Sequence, residues 1–325
     1  MAQILDGIDP HAIDTAAAML RTGEVVAFPT ETVYGLGADA LNERAVAQVF
    51  AIKNRPRFDP LIVHIPDREA AQQYVVVIDK RATALMERFW PGPLTLVLQK
   101  QPFIPDLITA GLATVALRVP AHPVALSLLQ AVGRPIAAPS ANPFGYVSPT
   151  TALHVQEMLG EAIELILDGG PCTIGVESTV CALTEEEAVI LRPGGVTVEE
   201  IEAVIGPIRI ASAWQSDARS PGTLPRHYSP RVPLVLFAPG EEIPRPHPGE
   251  RVGLLTLAPR PDAGEYTVVE TLSRDGNLVE AAANLFATLR RLDSLGLERV
   301  VVESVPERGI GRALMDRLHR AATRA

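Results

Sequence analysis

The sequence predicts an α/β protein made of two units. Three observations carry that prediction. Strand-like and helix-like segments alternate along most of the chain. The charge balance changes after Gly206: residues 1–206 hold 13 basic and 24 acidic side chains, 13 − 24 = −11, and residues 207–325 hold 16 and 14, 16 − 14 = +2. Between the two patterns lies the Pro-rich, aperiodic stretch SPGTLPRHYSPRVP. The expected units are a twisted, mixed and largely parallel sheet with covering helices over 1–206, a linker over 207–233, and a smaller doubly wound, Rossmann-like unit over 234–325.

The first helix has clear punctuation: Asp9 caps it, Pro10 suits its first turn, apolar residues recur to Leu20, and Gly23 ends it. Val25–Phe28 reads as a buried strand running into the loop PTETVYGLG. A helix over 43–51 follows, capped by Asn42, then a strand over 61–65, a helix over 79–89 and a strand over 94–98. Next come a strand over 114–119, a helix over 123–132 and a short strand over 136–138 that ends at Pro139. A helix over 150–159, strands near 164–167, 177–183 and 188–191, and a helix over 197–205 complete the first unit. The second unit has strands over 234–237, 251–257, 266–271 and 299–305, with helices over 276–293 and 308–323. No Gly-rich phosphate fingerprint follows its first strand, and Gly309-Ile310-Gly311 reads as a turn leading into a helix.

Composition narrows the function. At 325 residues the chain has room for two domains, and 47% apolar with 5% aromatic residues means an aliphatic core rather than disorder. A net charge of −9 argues against a general polyanion binder. Two cysteines, Cys172 and Cys181, are too few for a disulfide framework or a four-ligand zinc site. No apolar run is long enough to span a membrane, and the N-terminus is acidic where a signal peptide is basic, so a cytoplasmic protein is expected. Only three of the 29 basic residues are lysines: Lys53, Lys80 and Lys100.

Chemistry-bearing residues gather at expected strand ends, where α/β sheets bind ligands. PTETVYGLG carries Thr30, Glu31, Thr32 and Tyr34 beside two glycines, and is either a ligand loop or an ordinary connecting turn. Lys53, Arg55 and Arg57 lie within five residues ahead of Asp59 and His64. Such cations suit phosphate oxygens, although a solvated helix end has the same composition. Arg118 sits in an apolar strand and requires an anionic partner there. Ser140 and Asn142 follow the strand at 136–138, and Ser148, Thr150 and Thr151 precede a helix they can cap. Ser178 and Thr179 open a strand, and Arg192 sits in a turn. No Gly-x-Ser-x-Gly elbow surrounds Ser140, which excludes the corresponding hydrolases. No metal-ligand spacing is present, so the metal expected is Mg²⁺ arriving with phosphates.

Seven segments, in order, resemble the threonylcarbamoyl-AMP synthase family with its YrdC-like fold: PTETVYGL at 29–36, KNRP at 53–56, PLIVH at 60–64, WPGPLT at 90–95, RVP at 118–120, PSAN at 139–142 and ESTV at 177–180. The likeness covers residues 10–206. Ser220-Pro221-Gly222 and Arg226-His227-Tyr228-Ser229-Pro230, with the second α/β unit, resemble the long two-domain branch, although Thr223-Leu224 stand where that branch carries Met-Lys.

The resemblance implies a nucleotidyltransferase that converts L-threonine, bicarbonate and ATP into threonylcarbamoyl-adenylate and pyrophosphate for tRNA modification next to the anticodon. It implies that Thr32, His64, Arg118, Ala138 and Ser178 surround threonine, with Arg118 on its carboxylate. Arg55, Asp59, Thr114, Ser140, Asn142, Ser148, Arg192 and Tyr228 are expected around ATP, with Lys53 and Arg55 as the catalytic cations. His227 and Tyr228 are expected to close over the nucleotide. Implied partners are the tRNA-modification proteins that consume the adenylate, with weak RNA contact left open. A carbamoyl-transfer enzyme of hydrogenase maturation carries a related module but adds zinc fingers that two cysteines cannot build. A double-stranded RNA-binding module is the rival from another class, and the −11 of residues 1–206 weighs against it.

Overall fold

A computed structural model describes residues 1–211, 227–238, 240–261 and 263–323. The first unit holds β1 (Gln3–Asp6), α1 (Pro10–Thr22), β2 (Val26–Phe28), β3 (Gly35–Asp39), α2 (Glu43–Lys53), β4 (Ile62–His64), α3 (Lys80–Phe89) and β5 (Leu94–Gln99). It continues with α4 (Asp106–Thr109), β6 (Thr114–Arg118), α5 (Pro123–Val132), β7 (Ile136–Ala137), α6 (Ala152–Leu159), β8 (Leu165–Asp168), β9 (Thr179–Ala182), β10 (Val189–Arg192), α7 (Val198–Ile205) and β11 (Arg209–Ile210). These strands form one sheet in the order β1-β8-β2-β3-β7-β4-β6-β5-β9-β10-β11. The second unit, β12 (Leu234–Phe237), β13 (Val252–Thr256), β14 (Val268–Thr271), α8 (Leu278–Asp293), β15 (Arg299–Glu303) and α9 (Gly311–Ala322), has a sheet of order β12-β15-β13-β14.

The expected helix ends are where local chemistry puts them. Asp9 caps α1 and Gly23 closes it in the left-handed region, Asn42 caps α2, and Thr197 with Glu200 forms a capping box on α7. Thr151 rather than Thr150 caps α6; Thr150 instead presents its N–H to His154 Nδ1. The second sheet is parallel throughout, as doubly wound patterning implies.

Three features depart from expectation. Among the described residues five neighbouring pairs in the large sheet are parallel and five antiparallel, so that sheet is evenly mixed rather than largely parallel. β3 accounts for two of the five antiparallel pairs. Gly35–Asp39 pairs antiparallel with both β2 and β7, although its glycines read as loop. Gly37 is needed for packing: a Cβ there would lie 2.7 Å from the Phe28 ring and 2.9 Å from Ile136. Two short edge strands, β1 and β11, carry no local signal and exist by pairing with β8 and β10. β11 lies in the stretch expected as linker, whose residues 212–226, including Ser220 to Leu224 and Arg226, fall outside the described residues.

Alternate residues of β2 enter opposite faces of the sheet. Val26 and Phe28 pack with α1 and α5, while Ala27 joins the core that includes residues of α2, α3 and α7. A third core spans both units: Val33, Val147 and Val176 of the first pack with Tyr228, Phe286 and Leu314. Among the described residues no helix is long and apolar enough to cross a membrane, and no three His, Cys, Asp or Glu are grouped to hold a metal ion.

Candidate active site

The loops after β2, α2 and β7 and the segment leading into β9 meet in one cleft. The loop after β2 is held by Thr30, whose hydroxyl accepts from the N–H groups of Thr32 and Val33 and donates to Val33 O at 2.6 Å. This turn aims Thr32 at Arg118, which stands at the end of β6 beside His64 at the end of β4. Arg118 Nη1 donates to Thr32 Oγ1 at 3.0 Å, Nη2 to Glu31 Oε1 at 2.7 Å and Nε to Gly92 O at 3.2 Å. The second Glu31 oxygen accepts from the Ala121 N–H. The buried arginine expected to need an anion therefore has one in Glu31, and two of its five N–H groups are left for a ligand among the described residues.

The wall opposite is cationic. Arg55 donates from Nη2 to Pro60 O at 3.0 Å and pairs with Asp59 at 2.8 Å, while its guanidinium faces the Phe144 ring. Arg192 donates from Nη2 to Ser178 O at 2.8 Å and to Ser178 Oγ at 3.2 Å, and Thr95 Oγ1 meets Ser178 Oγ at 2.8 Å. Gly194 makes this crossing possible, because a Cβ there would lie 2.3 Å from Glu177 O. Lys53 ends α2 beneath the cleft, 1% exposed, with Nζ donating to the carbonyls of Ser140 and Asn142.

Thr32, Arg55, His64, Arg118, Ala138, Ser140, Ser178, Arg192, His227 and Tyr228 all line this one cleft. Five expected residues do not line it. Lys53 supports the Ser140–Asn142 loop from below, since a buried ammonium must find acceptors. Asp59 lies behind Arg55. Asn142 turns its amide to the carbonyls of Pro143 and Tyr146. Ser148 donates to Glu177 Oε1 at 2.6 Å. Thr114 opens β6, four residues from Arg118, and pairs with Gln99 of β5. Tyr34 faces away, with its hydroxyl on Asp168 and Gly170.

Residues 18–194 match the family described as telomere recombination, and residues 196–323 match the one described as threonylcarbamoyl-AMP synthase, C-terminal domain. The chain is 44% identical to threonylcarbamoyl-AMP synthase of Pyrococcus abyssi, covering 98% of this chain and 96% of that one. It is 45% identical to threonylcarbamoyl-AMP synthase of Bacillus subtilis, covering 97% and 93%. The chain belongs to the threonylcarbamoyl-AMP synthase family. A crystal structure of P. abyssi Sua5 complexed with L-threonine superposes with a TM-score of 0.87 at 45% identity, covering 95% of this chain and 94% of that one.

Within this synthase-family fold, burial sets the protonation of the cleft. His64 is pushed down to about 3 by burial and by Arg118, so it is neutral. His227 is driven well below its usual range by burial and by the four cations Arg55, Lys53, Arg192 and Arg317. Burial and Arg55 likewise pull Lys53 well below the ordinary lysine value. Glu177 is opposed by burial but held low by Arg317 and Arg192. Tyr228, at a positive φ of 60°, stacks on Phe286 with ring centroids 5.5 Å apart. Sequence reasoning did not assign Thr30, Glu31 and Glu177 to the site. Glu31 was legible as a carboxylate close in sequence to Thr32, but its pairing with Arg118 spans 87 residues.

Proposed function

We propose that the chain is an L-threonylcarbamoyladenylate synthase that serves N6-threonylcarbamoyladenosine formation in tRNA. The observation that carries this reading is the two-sided cleft. The cations Arg55 and Arg192, with Lys53 beneath, face a wall of Arg118, Thr32, His64 and Ser178. A triphosphate suits the first side and the carboxylate and hydroxyl of an amino acid suit the second. The L-threonine bound in the P. abyssi crystal structure supports the second assignment.

In this reading the threonine amine and bicarbonate give a carbamate and water. A carbamate oxygen then attacks the α-phosphorus in line, the bond to the β-phosphate bridging oxygen breaks, and pyrophosphate leaves. No covalent enzyme intermediate is required, so the residues act by placing reactants and neutralising charge. Arg118 takes the threonine carboxylate with its remaining N–H groups. Arg55 and Arg192 take the phosphates, and Lys53 adds charge from below while holding the Ser140 loop. His227 and Tyr228 cover the nucleotide side and keep water from the adenylate. Glu177 is the one carboxylate among the described residues that line the cleft and both its oxygens are engaged, by Ser148 and Arg317, so a Mg²⁺ ion would arrive with the ATP phosphates and would supply charge neutralisation there. A cytoplasmic place and tRNA-modification partners that accept the adenylate follow from this chemistry. A duplex-RNA module is disfavoured because Lys53, Arg55, Arg118 and Arg192 are at most 7% exposed.

The test is pyrophosphate release from ATP with threonine and bicarbonate omitted in turn. Release that requires both is expected; release independent of either would sink the proposal.

A further inference from the structure

One side chain of the second unit reaches the rear of the cleft. Arg317 on α9 is fully buried. Its Nε donates to Glu177 Oε2 at 2.9 Å, its Nη1 to Pro193 O at 2.7 Å and to Asp316 Oδ2 at 2.8 Å, and its guanidinium lies 5.2 Å from the centre of the Tyr228 ring. Arg317 thus touches the residue before Ser178, the residue after Arg192, and the aromatic ring on the nucleotide side. Glu177 itself lines the cleft, and its other oxygen is held by Ser148. An unheld carboxylate at this point would do two kinds of harm. It would repel phosphate oxygens, and it would turn onto the nearby cations that are meant for them.

We propose that Arg317 is a positioning residue for the nucleotide side of the cleft, fixing the Glu177 carboxylate toward α9 so that its charge is neutralised there rather than opposing polyphosphate. This rests on the assignment of ATP to that side. It makes the second unit part of the binding site without contact to the ligand. Glu177 neutralises part of Arg317, and Arg317 neutralises Glu177, so the cation excess of the cleft depends on α9 being docked.

The test is calorimetric titration of the full-length chain with Mg·ATP and, separately, with threonine. Arg317→Met is expected to weaken ATP binding by about tenfold or more and to change threonine affinity by less than about twofold. Adding Glu177→Gln to Arg317→Met is expected to recover most of the lost ATP affinity, a rescue that a purely structural role would not give. If Arg317→Met does not fold, as judged by circular dichroism, Arg317→Lys keeps the charge without the fork and is expected to give an intermediate loss confined to ATP. A folded variant that binds ATP like wild type, or one that loses ATP and threonine equally with no recovery on Glu177→Gln, would overturn the proposal. The readout is binding rather than turnover, so failure of the pyrophosphate assay is a separate result.

Discussion

The two units share an α/β architecture and use buried charge differently. In the first, Lys53, Arg55, Arg118 and Arg192 are buried around a cleft, each bonded to a carbonyl, a hydroxyl or a carboxylate. In the second, the buried charged residues among those described are Arg290, Arg317 and Arg320, all on α8 and α9. Arg290 and Arg317 reach across to Glu157 and Glu177 of the first unit. One set of buried cations surrounds the cleft; in the other, Arg290 and Arg317 pair with carboxylates of the neighbouring unit. Buried charge alone does not mark a binding site; what it faces decides the reading.

Lys53→Ala should break this contrast most strongly if the cleft cations serve chemistry. It removes a charge and releases the Ser140–Asn142 loop, and turnover of pyrophosphate release is expected to fall by roughly 10²–10³-fold. Near-normal turnover would reduce Lys53 to a packing residue. Arg118→Ala should follow, with threonine affinity falling about a hundredfold while ATP affinity is nearly kept. It also leaves Glu31 buried without its partner, at a cost of about 3–5 kcal/mol that denaturant melts would register.

Acid should act next, through two buried histidines of the first unit. Burial holds His64 near 3 and His154 near 4, both below the usual 6.5. The unfolded chain therefore binds protons below pH 6.5 that the native chain refuses. Stability is full above pH 6.5 and falls toward pH 4, by up to about 1.4 kcal/mol per pH unit for each histidine. Melting temperatures at pH 7.5 and 5 check the sign. Arg290→Met should have the smallest effect. Its partner Glu157 is 65% exposed, so the pair is worth about 1 kcal/mol or less, and both ligand affinities should be unchanged. A loss of ATP binding there would erase the distinction between docking and ligand-facing arginines.

Much of this molecule was readable from local chemistry. Asp9, Asn42 and Thr197 mark helix starts because capping is decided within three residues. The strands from β4 to β10, and those of the second unit, follow from short apolar runs between turn signals. Of the ten expected residues that line the cleft, six (Thr32, Arg55, His64, Arg118, Ser140 and Ser178) sit in the seven motifs, at or beside the ends of their elements. Glycine misled at β3, since its use there is to admit the Phe28 ring from a neighbouring strand. Of the three residues expected to cap α6, Thr151 does so, while the Thr150 N–H meets His154 Nδ1.

By itself the sequence determined most of the helices and the strands with apolar runs, which motifs carry cations and hydroxyls, and which family they resemble, because these depend on neighbours a few residues apart. Only the tertiary structure decided which partner each buried charge has. Glu31 answers Arg118 across 87 residues, and Glu177 answers Arg317 across 140. A buried ion must be compensated by whatever the packed fold brings within about 3 Å, and no local pattern encodes that meeting.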